Sequence, residues 1–279
     1  MTEPEEPRTS SRRAFVLGVA ATAGAGVVAA CGSDGTPTAD PSTAGTSTSL
    51  PGASSPAAVG EQSSTTGPGA QGSASGPARF VSSGPAGVDK VALTFHTNGD
   101  VALAHQLLDL LDARSIQVTA FVVGTWLDQH PDWAKRLVDG GHELANHTYT
   151  HPTFAKLAPS AMADEITRCR DVLLRTGPSG GAYFRPSGTA NGTDSPIPAV
   201  LAAAGAAGYP TVLGYDVDPA DYKDPGATVV SARTIAALHP GAIVSLHFGH
   251  AGTIQALPAI LDALQQRGLA PVRASDLLA

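Results

Sequence analysis

The chain predicts an α/β fold, a distorted (β/α)7 barrel running from about Phe80 to the C-terminus and preceded by a disordered N-terminal stalk. Two observations carry the barrel. Short apolar runs alternate with longer segments whose apolar residues recur at helical spacing, which implies parallel strands covered by helices. Roughly seven such strands can be counted, which favours a closed or nearly closed barrel over an open sheet by analogy with the eight-stranded case. A third observation concerns function. Clusters of His, Asp and Arg fall directly after the apolar runs, where barrels of this kind carry their functional loops.

In order, residues 90–95 read as a strand, followed by a helix over 101–114 with Ala104, Leu107, Leu108 and Leu111 on one face. A second strand spans 118–123, and a helix over 131–138 opens with proline in its first turn. A short extended piece at 142–146 precedes a long helix over 159–174. Then come a strand at 182–185, a helix at 199–207, a strand at 211–217 and a helix at 229–238. The strand at 242–248, a helix at 254–266 and a last strand at 271–273 complete the pattern.

The N-terminal third is different material. Arg12 and Arg13 precede an apolar, Ala/Gly-rich run ending at Ala30, the layout of a secretory signal. The paired arginines followed by Phe15 resemble the twin-arginine type, and Val28-Ala29-Ala30-Cys31 resembles a bacterial lipobox. Residues 14–30 are short and glycine-rich for a retained span, which needs about 20 apolar residues. Residues 31–79 are mostly Ser, Thr, Gly, Ala and Pro, with too little apolar surface to offset the entropy of ordering. The expected organisation is a lipoprotein signal peptide at 1–30, a disordered linker at 31–79 and one domain at 80–279. Lipidated Cys31 would hold that domain outside the cytoplasm, at the cell membrane. The remaining cysteine, Cys169, shares a helical face with Ile166, Val172 and Leu173 and reads as a buried apolar group. A formal charge of −7 argues against a nucleic-acid partner.

The strongest chemical signal is Asn146-His147-Thr148-Tyr149-Thr150-His151-Pro152, whose two histidines at i and i+4 suit one metal ion. With the preceding Gly141-His142-Glu143-Leu144-Ala145 it resembles the second motif of the polysaccharide deacetylase family, the NodB-homology domain of carbohydrate esterase family four. Tyr183-Phe184-Arg185-Pro186-Ser187-Gly188 resembles the third motif, in which an arginine orients the catalytic base. Asp218-Pro219-Ala220-Asp221-Tyr222 resembles the fourth, with tyrosine where the family usually has tryptophan. Ile243-Val244-Ser245-Leu246-His247 resembles the fifth. The first motif departs from the family's Thr-Phe-Asp-Asp-Gly: this chain has Thr94-Phe95-His96-Thr97-Asn98-Gly99-Asp100, with Asn98 as an extra residue.

The resemblance implies a metal-dependent hydrolase that removes acetyl groups from an N-acetylated or O-acetylated polysaccharide such as cell-wall glycan. His147 and His151 would be metal ligands, Asp221 would tune His247, and His247 would be the general acid. His96 stands at the place of the base and Thr97 at that of a carboxylate ligand. A third ligand would come from Asp100, if its loop folds back, or from His96. Three imidazoles suit zinc, with cobalt or another divalent ion as alternatives. His96 as base is the competing role, since an imidazole titrates at about 6.5. Pro186 has no N–H, so the Ser187 N–H is the candidate to hold an oxyanion. Arg185 has a structural alternative, an ion pair with Asp216 or Asp218, and His142 reads as structural. The altered first motif leaves two other functions open: an inactive carbohydrate-binding protein of the same fold, or a hydrolase of another acyl or amide substrate.

Overall fold

A computed structural model describes residues 76–279. The expected signal peptide, Cys31 and the expected linker up to residue 75 lie outside the described residues. Gly76–Arg79, read above as linker, belong to the domain: Ala78 is buried and donates its N–H to Leu201 O, and a first strand, β1 (Arg79–Val81), starts at Arg79.

The centre of the sheet is β2 (Lys90–Thr97), in which every residue after Lys90 is buried. It lies parallel to β3 (Thr119–Val122) on one side and to β6 (Ile243–His247) on the other, and its first residues also pair with β7 (Ala270–Val272). Burial on both faces explains its near-continuous apolar reading. β3 pairs with β4 (Glu143–Asn146). From there the ring is carried by single bridges. Asn146 bridges Phe184, and Phe184 bridges Val212 of β5 (Thr211–Leu213). Val217 then bridges Val244 of β6, which closes the circuit. The barrel is therefore distorted, as expected. The strand predicted at 182–185 shrinks to the bridge at Phe184, because Pro186 follows at once and cannot donate to a ladder.

The helices cover the outside. α1 (Val101–Ala113) buries the four residues its periodicity named, Ala104, Leu107, Leu108 and Leu111. α2 (Gly124–Gln129) was not expected and buries Trp126 and Leu127. α3 (Asp132–Asp139) and α4 (Pro159–Thr176) follow, the latter burying Ile166, Cys169, Val172 and Leu173. α5 (Pro198–Ala206), α6 (Ala227–Ala237), α7 (Ala251–Gln266) and α8 (Ala274–Leu278) complete the layer.

Strand alternation sorts the side chains into two sets. Val91, Leu93 and Phe95 of β2, with Val244 and Leu246 of β6, join the core under the helices. Ala92 and Ile243, with Phe121 of β3, Ala145 of β4 and Leu213 of β5, form a separate interior cluster. The register pairs Ala92 with Ile243, Thr94 with Ser245, and His96 with His247. The interior column of β2 and β6 is thus apolar at its base and polar at the C-terminal end, where His96 and His247 stand side by side.

Candidate active site

His96, His147, His151 and His247 line one pocket with Gly188, Thr189, Tyr215, Asp218, Tyr222 and Ser245. Its volume is about 140 Å³. His96 is the last residue but one of β2, His247 ends β6, and His147 is the first residue after β4.

Beneath the pocket lies Arg185, a fully buried cation held by five groups. It donates to Leu213 O (2.9 Å), Gly214 O (2.8 Å), Thr94 Oγ1 (3.0 Å) and His96 Nε2 (3.1 Å). Its guanidinium carbon also lies 3.8 Å from the centre of the Phe121 ring. Burial pushes its pKa down to about 9, which leaves it charged at neutral pH. The salt bridge to Asp216 or Asp218 considered above does not form. Asp216 instead accepts from Ile243 N and lies 3.1 Å from His239 Nε2, and Asp218 accepts from Ala220 N.

Arg185 dictates the protonation of what lies above it. A guanidinium can only donate, so His96 Nε2 accepts and the His96 proton sits on Nδ1. That Nδ1–H reaches His247 Nε2 at 2.9 Å, which must therefore accept. His247 in turn donates from Nδ1 to Asp221 Oδ1 at 2.8 Å. The result is a chain from Arg185 through two neutral imidazoles to a carboxylate. Asp221 is buried and also accepts from His247 N (2.8 Å), Tyr222 N (3.0 Å) and Thr253 Oγ1 (2.6 Å). Both nitrogens of His96 are engaged, so in this arrangement it has no lone pair for a metal ion or a water.

His147 is oriented differently. Its Nδ1 donates to Arg185 O at 2.9 Å, which leaves Nε2 as the lone-pair atom, buried and without a partner among the described residues. The His151 ring lies 4.9 Å away and the His96 ring stacks at 4.0 Å. Thr148 and His151 adopt left-handed backbone, with φ of 68° and 60°. Such residues cost about 1–3 kcal/mol each and cluster where geometry is functional. Gly188 lets the 185–189 segment approach this loop: at φ 65° a Cβ there would stand 2.9 Å from Thr153 Cα.

A ring nitrogen fixed by a carbonyl on one side and unpartnered on the other is how a metal-bound imidazole is usually held. His147 Nε2 and neighbouring His151 thus fit a divalent ion as two ligands. A third protein ligand does not join them, and no group of three or more His, Cys, Asp or Glu is arranged to hold a metal among the described residues. Asp100, a ligand only if its loop folded back, is instead exposed and caps α1, its Oδ1 accepting from Ala102 N (2.7 Å) and Leu103 N (3.1 Å). Thr97 belongs by alternation to the helix-facing side of β2 and does not line the pocket; its hydroxyl is buried and unpartnered among the described residues. The loop that carries Asp100 is fixed from two sides. Gly99, at φ 93°, lies against Gly249, so that a Cβ on Gly99 would stand 2.7 Å from Gly249 Cα. Its carbonyl accepts from Trp126 Nε1 at 3.0 Å.

Ser187 N–H makes no hydrogen bond among the described residues, and the Ser187 hydroxyl donates to Pro152 O at 2.6 Å. Sequence reasoning missed Thr94, Thr253, Tyr215 and Asp218. Thr94 and Asp218 carried a signal, as parts of the first and fourth motifs. His142 is structural, its Nδ1 accepting from Val118 N at 3.2 Å.

Burial holds the pKa of His96 well below 6.5, with His147, His247 and Arg185 adding to it, and burial together with His151 does the same to His147. Both stay neutral when folded at pH values where the unfolded chain takes up protons. Stability present above pH 6.5 should therefore be lost as the pH falls toward their folded values, by up to about 1.4 kcal/mol per pH unit for each. Thermal denaturation between pH 7.5 and 5 measures this slope, and His147→Gln should make it shallower. An equal slope in that variant would exclude His147 as a source.

The family model for polysaccharide deacetylase matches residues 83–212. A chitooligosaccharide deacetylase of Bradyrhizobium sp. (strain ANU 289) is 31% identical over 196 residues, 65% of this chain and 87% of that relative. Among solved structures, a family 4 carbohydrate esterase pseudoenzyme from Bacillus anthracis superposes with a TM-score of 0.66 at 25% identity, over 72% of this chain and 69% of the other. The family 4 carbohydrate esterase of Streptomyces lividans in complex with acetate gives 0.58 at 27%, over 65% and 91%. The chain belongs to the polysaccharide deacetylase family. Deacetylases of this family generally depend on a divalent metal.

Proposed function

We propose that the protein deacetylates an N- or O-acetylated polysaccharide of the cell envelope, held outside the cytoplasm by lipidated Cys31. The observation that carries this reading is the Asp221–His247 couple, which shares one pocket with His151 and with the Nε2 of His147, unpartnered among the described residues. A pocket of about 140 Å³ suits an acetyl group. It is well below the roughly 300–1,000 Å³ of pockets that enclose a whole small ligand. The sugar would remain outside, beside the exposed ring of Tyr222, whose centre is 5.4 Å from that of His247.

His147 and His151 would hold a divalent ion, zinc first, whose Lewis acidity would activate water and polarise a carbonyl. The chain's own residues do the rest. Ser187 N–H is the donor offered to the oxygen that gains charge. His247 Nε2 would release its bond from His96 Nδ1–H and take the proton of the attacking water as the water adds to the acetyl carbonyl. It would pass that proton to the leaving amine nitrogen or alcohol oxygen as the bond from that atom to the carbonyl carbon breaks. Asp221 stabilises the imidazolium meanwhile. Arg185 and Asp221 hold the two ends of the chain throughout.

A second reading is glycan binding without turnover. It is favoured by the engagement of both His96 nitrogens and by the absence, among the described residues, of a β2 carboxylate in the pocket. The solved pseudoenzyme is consistent with loss of activity on this fold. Acetate release from N-acetylglucosamine oligomers and from peptidoglycan decides, using the full chain with zinc or cobalt beside a retention assay on the same glycans. Release by the wild type and loss in His247→Ala is the expected result. Retention with no release above the His247→Ala background would replace the first reading by the second.

A further inference from the structure

We propose that Glu165, on α4, is a positioning residue: its carboxylate folds the loop that sets His147 and His151 on one pocket. Three residues separate the histidines, and Glu165 binds two of them. Its Oε2 accepts from Tyr149 N and from Thr150 N, both at 2.8 Å, and its Oε1 accepts from Thr150 Oγ1 at 2.6 Å. The third loop N–H, that of Thr148, goes to Asn146 Oδ1 at 2.9 Å. Asn146 is itself fixed to α4, donating to Ile166 O at 2.9 Å. Every N–H between the two histidines thus ends on a side-chain oxygen, and both side chains are tied to one turn of α4. On the opposite side, Thr148 O and Tyr149 O accept from Gly124 N and Thr125 N, each at 2.9 Å. Arg168, one turn on from Glu165, lays its guanidinium carbon 3.8 Å from the Tyr149 ring centre.

The backbone explains why such a hold is needed. Thr148 and His151 are both left-handed, and Thr148 is β-branched, for which that region is a true outlier. A loop bent in this way persists only when its surroundings over-determine it. Glu165 touches neither histidine ring. It acts through the peptide groups, and its loss should let the loop relax and spread the two imidazoles.

The test uses the full chain, with cobalt(II) titration followed by visible absorption and amide hydrogen exchange at Tyr149 and Thr150. The cobalt arm rests on His147 and His151 being ligands; the exchange arm does not. Glu165→Ala should weaken cobalt binding about 10- to 100-fold, the usual effect of removing an outer partner, and should speed exchange at both amides. Glu165→Gln keeps an acceptor oxygen for the two N–H groups and should recover most of the affinity. Glu165→Asp keeps the charge but withdraws the oxygens by one methylene; it should behave like the alanine variant and serves if that variant does not fold. Wild-type affinity and unchanged exchange in the alanine or aspartate variant would overturn the proposal, as would a glutamine variant as weak as alanine. If the wild type binds no cobalt, the ligand reading fails. Exchange then decides: faster exchange in Glu165→Asp supports the role of Glu165, and unchanged exchange overturns it.

Discussion

Asp221→Asn should lower acetate release by about 10²- to 10⁴-fold, the range ascribed to positioned acid–base catalysis. The carboxylate accepts four hydrogen bonds and donates none, and its two oxygens divide them between the His247 ring, His247 N, Tyr222 N and Thr253 Oγ1. Asparagine would turn an N–H₂ toward two of these donors in a buried place. Leaving a buried donor unsatisfied costs about 1–3 kcal/mol, so the melting temperature should drop as well. The two readouts separate the roles of Asp221. Loss of acetate release beyond what the fraction unfolded explains marks it as the partner of His247. Release in proportion to folded protein would reduce it to a structural residue.

His96→Ala should destabilise the domain and leave metal affinity near the wild-type value. The imidazole is one of four hydrogen-bond acceptors for a fully buried guanidinium, and a hydrogen bond to a charged group contributes about 1.5–3 kcal/mol. The void left beside the stacked His147 ring adds to the loss. Metal affinity should hold because neither His96 nitrogen is available to an ion while Arg185 and His247 occupy them. Calorimetric zinc titration and thermal melts read the two effects independently. A tenfold or greater fall in zinc affinity would show that His96 swings to the ion, as a third ligand must.

Much of this architecture was legible in the chain. The interior and helix-facing columns of β2 follow from strict alternation, and the buried face of α1 follows from helical spacing, residue by residue. Arg185 beside the residue at the base position, and Asp221 beside His247, were implied by the third, fourth and fifth motifs. α2 was not legible because Gly124–Gln129 is under two turns and shows no period. The barrel's weak arc was hidden for a different reason. Phe184 and Val217 sit among apolar neighbours that read as strands, yet each makes only single bridges. Asp100 carried two signals at once. A carboxylate after a metal-motif glycine suggests a ligand, while an Asp directly before a helical run is a capping signal. The cap prevails because Gly99 turns the chain into α1 at that point. Thr253 and Glu165 left no trace, since they reach the site only through partners distant in sequence.

The contact between Gly99 and Gly249 acts as a gauge block between two loops. Main chain rests on main chain there, so the gap separating the loops after β2 and β6 has no side chain through which it could be adjusted. The additional residue Asn98 is lodged against this stop, its carbonyl oxygen lying 2.8 Å from where a Cβ on Gly249 would stand. Loop length and loop spacing are therefore coupled. Deleting Asn98 to regain the ordinary length of the motif would draw Gly99 off its seat and pull on the start of α1. Grafting the family's two aspartates into this chain is then a problem of fitting a loop before it is a problem of exchanging side chains.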